Sequence, residues 1–387
     1  MKFKRIFLIV LDSLGIGGAP DAKDFDDEGA NTLLHILQTT KIGLPNLRMM
    51  GLFNLVGKAD IFANSYYLGM REASNGKDTL TGHLEMMGIE TTTPFLKFTE
   101  HGFPDDLIAE LERLSGRQVI GNRKASGTEI IDTLGVQHIK TGSLIVYTST
   151  DSVMQIAAHE SIVPVKELYR ICEIARKLTM RDEWRVGRVI ARPFNGKPHD
   201  FTRTANRRDY ALDPSEKTTL DFLIKNKEEV ITIGKISDIF NGWGISKKIP
   251  IEDNLDGIEK IIDVINSDFS GLCFANLNDF DSKYGHRRDA PGYANALKEF
   301  DNNLYRILDD LKDDDMLMIT ADHGNDPSYY GTDHTRENIP LLIYSKSFIE
   351  PKRLPDSPTF GDIGATISDN FGVSQTRLGK SLLEQLK

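Results

Sequence analysis

With 387 residues, 40% of them hydrophobic, the chain has material for a large core and for roughly two domains. A charged share of 27% and a net charge of −10 mark an ordinary globular protein and argue against a general nucleic-acid binder, which carries a basic surface. Two cysteines, Cys172 and Cys273, far apart and each in an apolar setting, exclude a disulfide framework and a C-x-x-C zinc motif and fit a reducing, cytoplasmic compartment.

The N-terminus, M-K-F-K-R-I-F-L-I-V-L-D, has the outline of a signal peptide, but its apolar run from Ile6 to Leu11 is too short for one. No segment approaches the length needed to cross a bilayer, so no membrane partner is expected. A continuous run rich in branched residues marks instead a strand covered on both faces, as in a parallel sheet. It ends at Asp12 and opens into S-L-G-I-G-G-A-P. That glycine-rich loop lacks the spacing of a dinucleotide or Walker motif.

Residues 76–83 read G-K-D-T-L-T-G-H, followed by a short helix that Gly88 closes. Either Thr79 or Thr81 then lies near a helix N-terminus, where free N–H groups and the dipole favour a phosphate, with Lys77 adding charge. The plainer alternative is a threonine N-cap beside a solvated loop.

From about Phe95 the texture changes. Pro104 opens a helix with Leu107, Ile108, Leu111 and Leu114 on one face, closed near Gly116. Ser143–Tyr147 is a strand running into T-S-T-D-S, with Asp151 past its end. Leu168, Ile171, Cys172, Ala175 and Leu178 form a core-facing helix stripe. Residues 181–208 then hold eight basic residues against three acidic ones, a local net charge of +5 in an acidic chain. Arginine forks match phosphate oxygens two at a time, which makes this stretch a candidate anion site as well as a solvated face.

The α/β rhythm then resumes. Val230–Ile233 is a strand ending at Gly234 and Lys235. Ile258, Ile261, Ile262 and Ile265 mark a helix. Leu272–Leu277 is a strand leading to N-D-F-D and then His286. Leu297, Phe300, Leu304, Ile307, Leu308 and Leu311 mark a strong amphipathic helix. The run Leu317–Ile319 stops at Asp322 and His323, and a turn-rich loop brings a second acid–imidazole pair, Asp333 and His334. Side chains of adjacent strand residues point to opposite faces, so Asp322 and His323 share a ligand only if the strand has already ended; Gly324 permits that turn.

Three buried-strand patterns thus lead to carboxylates, at Asp12, Asp281 and Asp322, with His286, His323 and His334 a few residues away. In an open parallel sheet the carboxyl ends of the strands face one crevice. Six such groups suffice for two divalent ions, and a pair roughly 3.5–4 Å apart suits in-line phosphoryl displacement. Manganese, zinc and cobalt all accept these ligands. The threonine of 76–83 would be the nucleophile.

Several strings are more specific. G-K-D-T-L-T-G-H, I-T-A-D-H-G-N-D-P and G-T-D-H-T-R-E resemble the alkaline phosphatase superfamily, and more narrowly its prokaryotic phosphopentomutase family. A-S-G-T-E-I (125–130), T-G-S-L-I-V-Y-T-S-T-D-S-V (141–153), V-G-R-V-I-A-R-P-F (186–194), F-T-R-T (201–204) and G-K-I-S-D-I (234–239) extend the likeness over the whole chain. The resemblance implies an α/β fold: an alkaline-phosphatase-like core with a mostly parallel sheet flanked by helices (1–95 and 214–387), plus an inserted smaller α/β cap (96–213). It implies that Thr79 carries the phosphate. Asp12, Asp322 and His323 would hold one manganese, with Thr79 bridging, and Asp281, His286 and His334 the other. Asp151, Arg188, Arg203 and Lys235 would contact substrate. Leu84 departs from the family, which often carries a tryptophan there. The implied activity interconverts ribose 1-phosphate and ribose 5-phosphate, and the deoxyribose pair. A sugar bisphosphate (glucose 1,6-bisphosphate or ribose 1,5-bisphosphate) would prime it, and small-molecule pentose phosphates would be its partners, with neither nucleic acid nor membrane among them. A phosphatase, phosphodiesterase or phosphoglycerate mutase on the same core, or a metal sensor without turnover, are the alternatives.

Overall fold

The apolar run behind Arg5 forms β1 (Arg5–Leu11), and all of it is buried. In the computed structural model, which describes residues 2–58, 62–149, 152–198 and 200–387, β2 (Tyr66–Met70) follows. Next come β3 (Val119–Lys124), β4 (Leu144–Thr148), β5 (Val153–His159), β6 (Arg188–Lys197), β7 (Asp200–Arg203) and β8 (Arg208–Ala211). The last strands are β9 (Glu229–Ile233), β10 (Lys247–Ile249), β11 (Gly271–Leu277), β12 (Asp315–Thr320) and β13 (Ile339–Tyr344). The chain makes two compact units, Met1–Thr93 with Pro214–Lys387, and Pro94–Asp213.

The first unit is built on a sheet in the order β10-β9-β11-β1-β12-β13-β2. Pairing is parallel from β10 to β12, while β13 runs antiparallel to both its neighbours, so the sheet is mixed but mostly parallel. Its central strands carry apolar side chains on both faces, which a sheet covered on both sides requires. Register decides what matters for function. Leu11 pairs with Leu277 and Val10 with Thr320, so β1, β11 and β12 end level and their continuations emerge at one edge. At the other end Arg5 pairs with Asp315 through two hydrogen bonds of 2.7 and 2.5 Å, both side chains buried. A slip of one residue would strand both buried charges, so this pair helps fix the register.

Helix Asn254–Ile265 turns Ile258, Ile261, Ile262 and Ile265 inward, the spacing of a single apolar face, and packs on helix Ala290–Asp310. Asp253 caps it by accepting from the Asp256 N–H.

The second unit has the sheet β3-β4-β5-β6-β7, with β8 also paired to β6. Strand alternation sorts its core. Met154, Ile156 and Ala158 pack with Leu168, Ile171, Cys172 and Ala175 of helix Val165–Leu178. Tyr147, Ala157 and Phe194 pack with Ile130 and Ile131 of helix Gly127–Thr141 on the other face. Leu114, expected on a buried face, is exposed, because helix Asp105–Ser115 ends one residue later and only Leu107, Leu111 and Ser115 are fully covered. Cys172 and Cys273 are both buried free thiols. Among the described residues no helix is long and apolar enough to cross a membrane.

Candidate metal centre

Helix Thr79–Met86 brings the first reactive group. Its N-cap is Asp78, whose carboxylate accepts from the N–H groups of Leu80 and Thr81 and from the Thr81 hydroxyl at 2.7 Å. The cap is therefore an aspartate and not a threonine. Thr81 is buried and engaged, whereas Thr79 occupies the first helical position with Oγ1 3.1 Å from Nε2 of His323. Lys77, expected to offer free charge, instead pairs with Asp27 at 2.7 Å. Gly82 is required by contact: a Cβ there would lie 2.1 Å from the Asp322 carbonyl oxygen.

The level strand ends supply the rest. Strand β12 stops at Thr320, so Asp322 and His323 lie beyond it and share one side of the turn. Their ligand atoms and one of Asp12 lie within 4.8 Å of one another. Nε2 of His323 is 3.3 Å from Asp322 Oδ2 and 3.6 Å from Asp12 Oδ1. Asp281 sits on a π-helical turn, Phe280–Gly285, just past β11. It forms a second group with His286 and His334, at 3.3 and 3.4 Å. The groups adjoin, since the rings of His323 and His334 stack with centroids 3.9 Å apart.

Each imidazole is oriented from behind. Nδ1 of His323 lies 3.1 Å from the Gly324 carbonyl, Nδ1 of His286 2.9 Å from that of Thr332, and Nδ1 of His334 3.0 Å from that of Lys77. A carbonyl only accepts, so each Nδ1 carries a proton and Nε2 is the nitrogen turned into the cluster, the one a metal would take. The carboxylates are similarly divided. Asp12 Oδ2 accepts from Asn276 at 3.0 Å, and Asp322 Oδ1 from the Ser13 N–H at 3.0 Å. Their other oxygens, Asp12 Oδ1 and Asp322 Oδ2, are buried without a hydrogen-bond partner. Buried orphaned carboxylate oxygens facing imidazole nitrogens fit divalent cations with nitrogen and oxygen ligands.

The charges are finely set. Burial and the neighbouring Asp322 push the Asp12 carboxyl up to about 6, against the pull of Lys235. Asp322 is held at about 2: burial opposes this, but His323, His83 and the Ser13 N–H outweigh it. Asp281 is likewise held well below its usual range, burial being overcome by His334 and His286.

The remaining expected residues fall in two places. Lys235 belongs to the first unit, with Nζ 3.7 Å from Asp12 Oδ2, beside the carboxylates. Arg188 and Arg203 belong to the second. Arg188 reaches toward Asp209 at 3.7 Å, and Arg203 rests on Gly127, whose Cβ would meet its Nη2 at 2.1 Å. Asp151 lies outside the described residues. Arg192, which the sequence marks only as part of a basic stretch, shares a face of β6 with Arg188 and is pushed down to about 10 by burial and by Arg207. The buried hydroxyl of Tyr147 beside this group has no hydrogen-bond partner. Sequence reading also missed Asp78, His83, Asn276, Asn325 and Glu337; only Asp78, directly before a helix, left a local signal.

A mostly parallel α/β sheet whose level strand ends present two carboxylate–imidazole groups beside a threonine carries two candidate metal sites. The model of the metalloenzyme superfamily matches residues 4–375, and the chain belongs to that superfamily, the one that includes the alkaline phosphatases. The PH0037 protein from Pyrococcus horikoshii is similar in fold, with a TM-score of 0.52, 16% identity and coverage of 97% of this chain and 99% of that one. So is a phosphoglycerate mutase from Leishmania mexicana, with a TM-score of 0.52, 13% identity and coverage of 99% and 98%. The protein is a metal-dependent enzyme of this superfamily.

Proposed function

We propose that the protein is a phosphopentomutase, interconverting ribose 1-phosphate and ribose 5-phosphate and the corresponding 2-deoxyribose pair. The observation that carries this reading is the Thr79 hydroxyl, at the head of a helix and 3.1 Å from Nε2 of His323 in the first ligand group. The choice of a pentose phosphate is supported by the strings that resemble the phosphopentomutases throughout the chain, and by the arginines on one face of the second unit.

In this reading Asp12, Asp322 and His323 hold one manganese and Asp281, His286 and His334 the other. When bound, the two ions supply positive charge that stabilises the attacking and leaving oxygens of phosphoryl transfer. The chain's own residues do the rest. Asp78 caps the helix and fixes Thr79 at its first position. Phospho-Thr79 gives its phosphoryl group to the free hydroxyl of a pentose monophosphate: the Thr79 O–P bond breaks, a sugar O–P bond forms, and the proton of the sugar hydroxyl ends on the leaving Thr79 oxygen. The sugar bisphosphate then returns its other phosphoryl group to Thr79. Arg188 and Arg203 are assigned to the sugar phosphate by two-point hydrogen bonding, with Lys235 and Asp151 as further substrate contacts.

Incubation of the manganese-loaded protein with glucose 1,6-bisphosphate or ribose 1,5-bisphosphate tests this. Intact mass should rise by one phosphoryl group, mapped to Thr79, and phosphorus NMR should follow ribose 1-phosphate becoming ribose 5-phosphate. Release of inorganic phosphate from ribose 5-phosphate faster than isomerisation would assign a phosphatase instead.

A further inference from the structure

Two of the three ligands in the second group, His286 and His334, sit in segments with little regular structure. His286 follows the π-helical turn, and His334 ends the loop 325–334. One side chain ties these segments together. Arg288 stands at φ +56°, a left-handed conformation that a non-glycine residue seldom adopts. From there its guanidinium reaches five acceptors. Nη1 donates to the carbonyl of Gly285 at 3.0 Å, to Asn325 Oδ1 at 2.6 Å and to the carbonyl of Asp326 at 3.0 Å. Nε donates to the carbonyl of Gly331, and Nη2 to that of Asp333 at 3.1 Å.

Two of these contacts lie next to a ligand. Gly285 and Asp333 immediately precede His286 and His334. Asn325, held by Arg288 through its carbonyl oxygen, donates its amide to Asp281 Oδ1 at 2.8 Å. Asn325 also lies two residues past His323, where the chain leaves the first group. The fork thus spans the π turn, the exit from β12 and the approach to His334. A lysine presents its donors from a single point and cannot satisfy acceptors spread this way.

We propose that Arg288 is the positioning residue that assembles the Asp281–His286–His334 site ahead of its metal, an inference that rests on the two-ion reading above. Partners behind a ligand set typically govern metal affinity by about 10- to 100-fold. Since none of its contacts is to Asp12, Asp322 or Thr79, removing the fork should weaken one site and spare the other.

The test is a manganese titration of Arg288→Gln and Arg288→Lys, followed by electron paramagnetic resonance at fixed free manganese. Wild-type protein should show a spin-coupled pair of ions. Both variants should show a single uncoupled ion, with affinity for the second ion down about 10- to 100-fold and affinity for the first unchanged. Added guanidinium should restore coupling in Arg288→Gln. Equal weakening of both sites, or retention of the coupled spectrum, overturns the inference alone. Wild-type protein that binds no second ion overturns the two-ion reading and this inference with it. Should Arg288→Gln fail to fold, the charge-conserving Arg288→Lys gives the same reading of coupled against single ion.

Discussion

Nε2 of His286 and Nε2 of His334 face each other at 3.1 Å, and the opposite nitrogen of each ring lies against a backbone carbonyl. With both Nδ1 protons committed, the two facing nitrogens can sit this close only by sharing a cation, a proton in the metal-free protein or a metal ion in the loaded one. Binding to the folded state alone stabilises it by about 2.7 kcal/mol at a free metal concentration 100 times Kd. Chelation of the loaded protein should therefore lower the thermal midpoint by several degrees, and manganese should restore it. A midpoint indifferent to chelator would contradict a metal centre built from these ligands.

The two threonines of the capping turn should separate cleanly on substitution. Thr79→Ala removes the hydroxyl aimed at His323, and turnover should fall by a factor on the order of 10⁴ or more, as when a nucleophile is deleted. Metal uptake should stay near wild type, because six other ligands remain. Thr81→Ala instead removes a 2.7 Å hydrogen bond to the capping Asp78 and should cost about 1 kcal/mol of stability while phosphate still maps to Thr79. Intact mass and thermal melts on both variants read the two effects independently.

This pair also marks where sequence reading reached its limit. Asp12, Asp322 and His323 are legible because an apolar strand run breaks at each, and the carboxyl-end rule for parallel sheets brings distant strands to one edge. Which threonine faces the cluster is not legible. It depends on Asp78 taking the cap and consuming Thr81, a competition among three polar residues within one turn. Lys77 has the same difficulty: its partner Asp27 is fixed only by the folded path of the loop after β1. Asn276 and Arg288 lie in unremarkable contexts, and only register and loop geometry bring them to Asp12 and to Asn325. Glu337 is a further case: buried, it accepts from the N–H groups of Gly17 and Thr32 and from the hydroxyls of Thr32 and Thr335. Nothing in its neighbourhood in the sequence announces a carboxylate that ties three separate segments.

Gly82 links helix packing to the metal site. A methyl group there would lie 2.1 Å from the Asp322 carbonyl oxygen and 2.9 Å from its carbon, backbone atoms that no side-chain rotation can move aside. The helix and the turn after β12 must separate to admit it. Gly82→Ala should cost about 1–3 kcal/mol despite the better helix propensity of alanine, as overpacked sites do. Because Thr79 and Asp322 are carried on the two parting elements, affinity for the first ion should fall too. A variant as stable as wild type, with unchanged manganese affinity, would show that this approach is slack.

Asp209 offers a pH test within the second unit. Its carboxylate takes two 2.7 Å hydrogen bonds from Arg207 and lies 3.7 Å from Arg188. Burial alone would raise its pKa, but the Arg207 fork, with Arg188 and Arg192, holds it below the usual carboxylate range. A depressed carboxyl pKa stabilises the folded state fully above the unfolded value, about 3.9, and the contribution is lost as pH falls through the folded pKa. Asp209→Asn should therefore be less stable than wild type by about 1.5–3 kcal/mol at pH 7, the worth of hydrogen bonds to a charged group. The gap should narrow below about pH 4 and close once wild-type Asp209 is itself protonated. Denaturant unfolding of both proteins from neutral to acid pH measures it, and a gap that stays constant down the series would show that the arginines do not stabilise the carboxylate. The same variant removes the negative charge 3.7 Å from Arg188, so its affinity for ribose 5-phosphate reports whether that charge matters to phosphate binding.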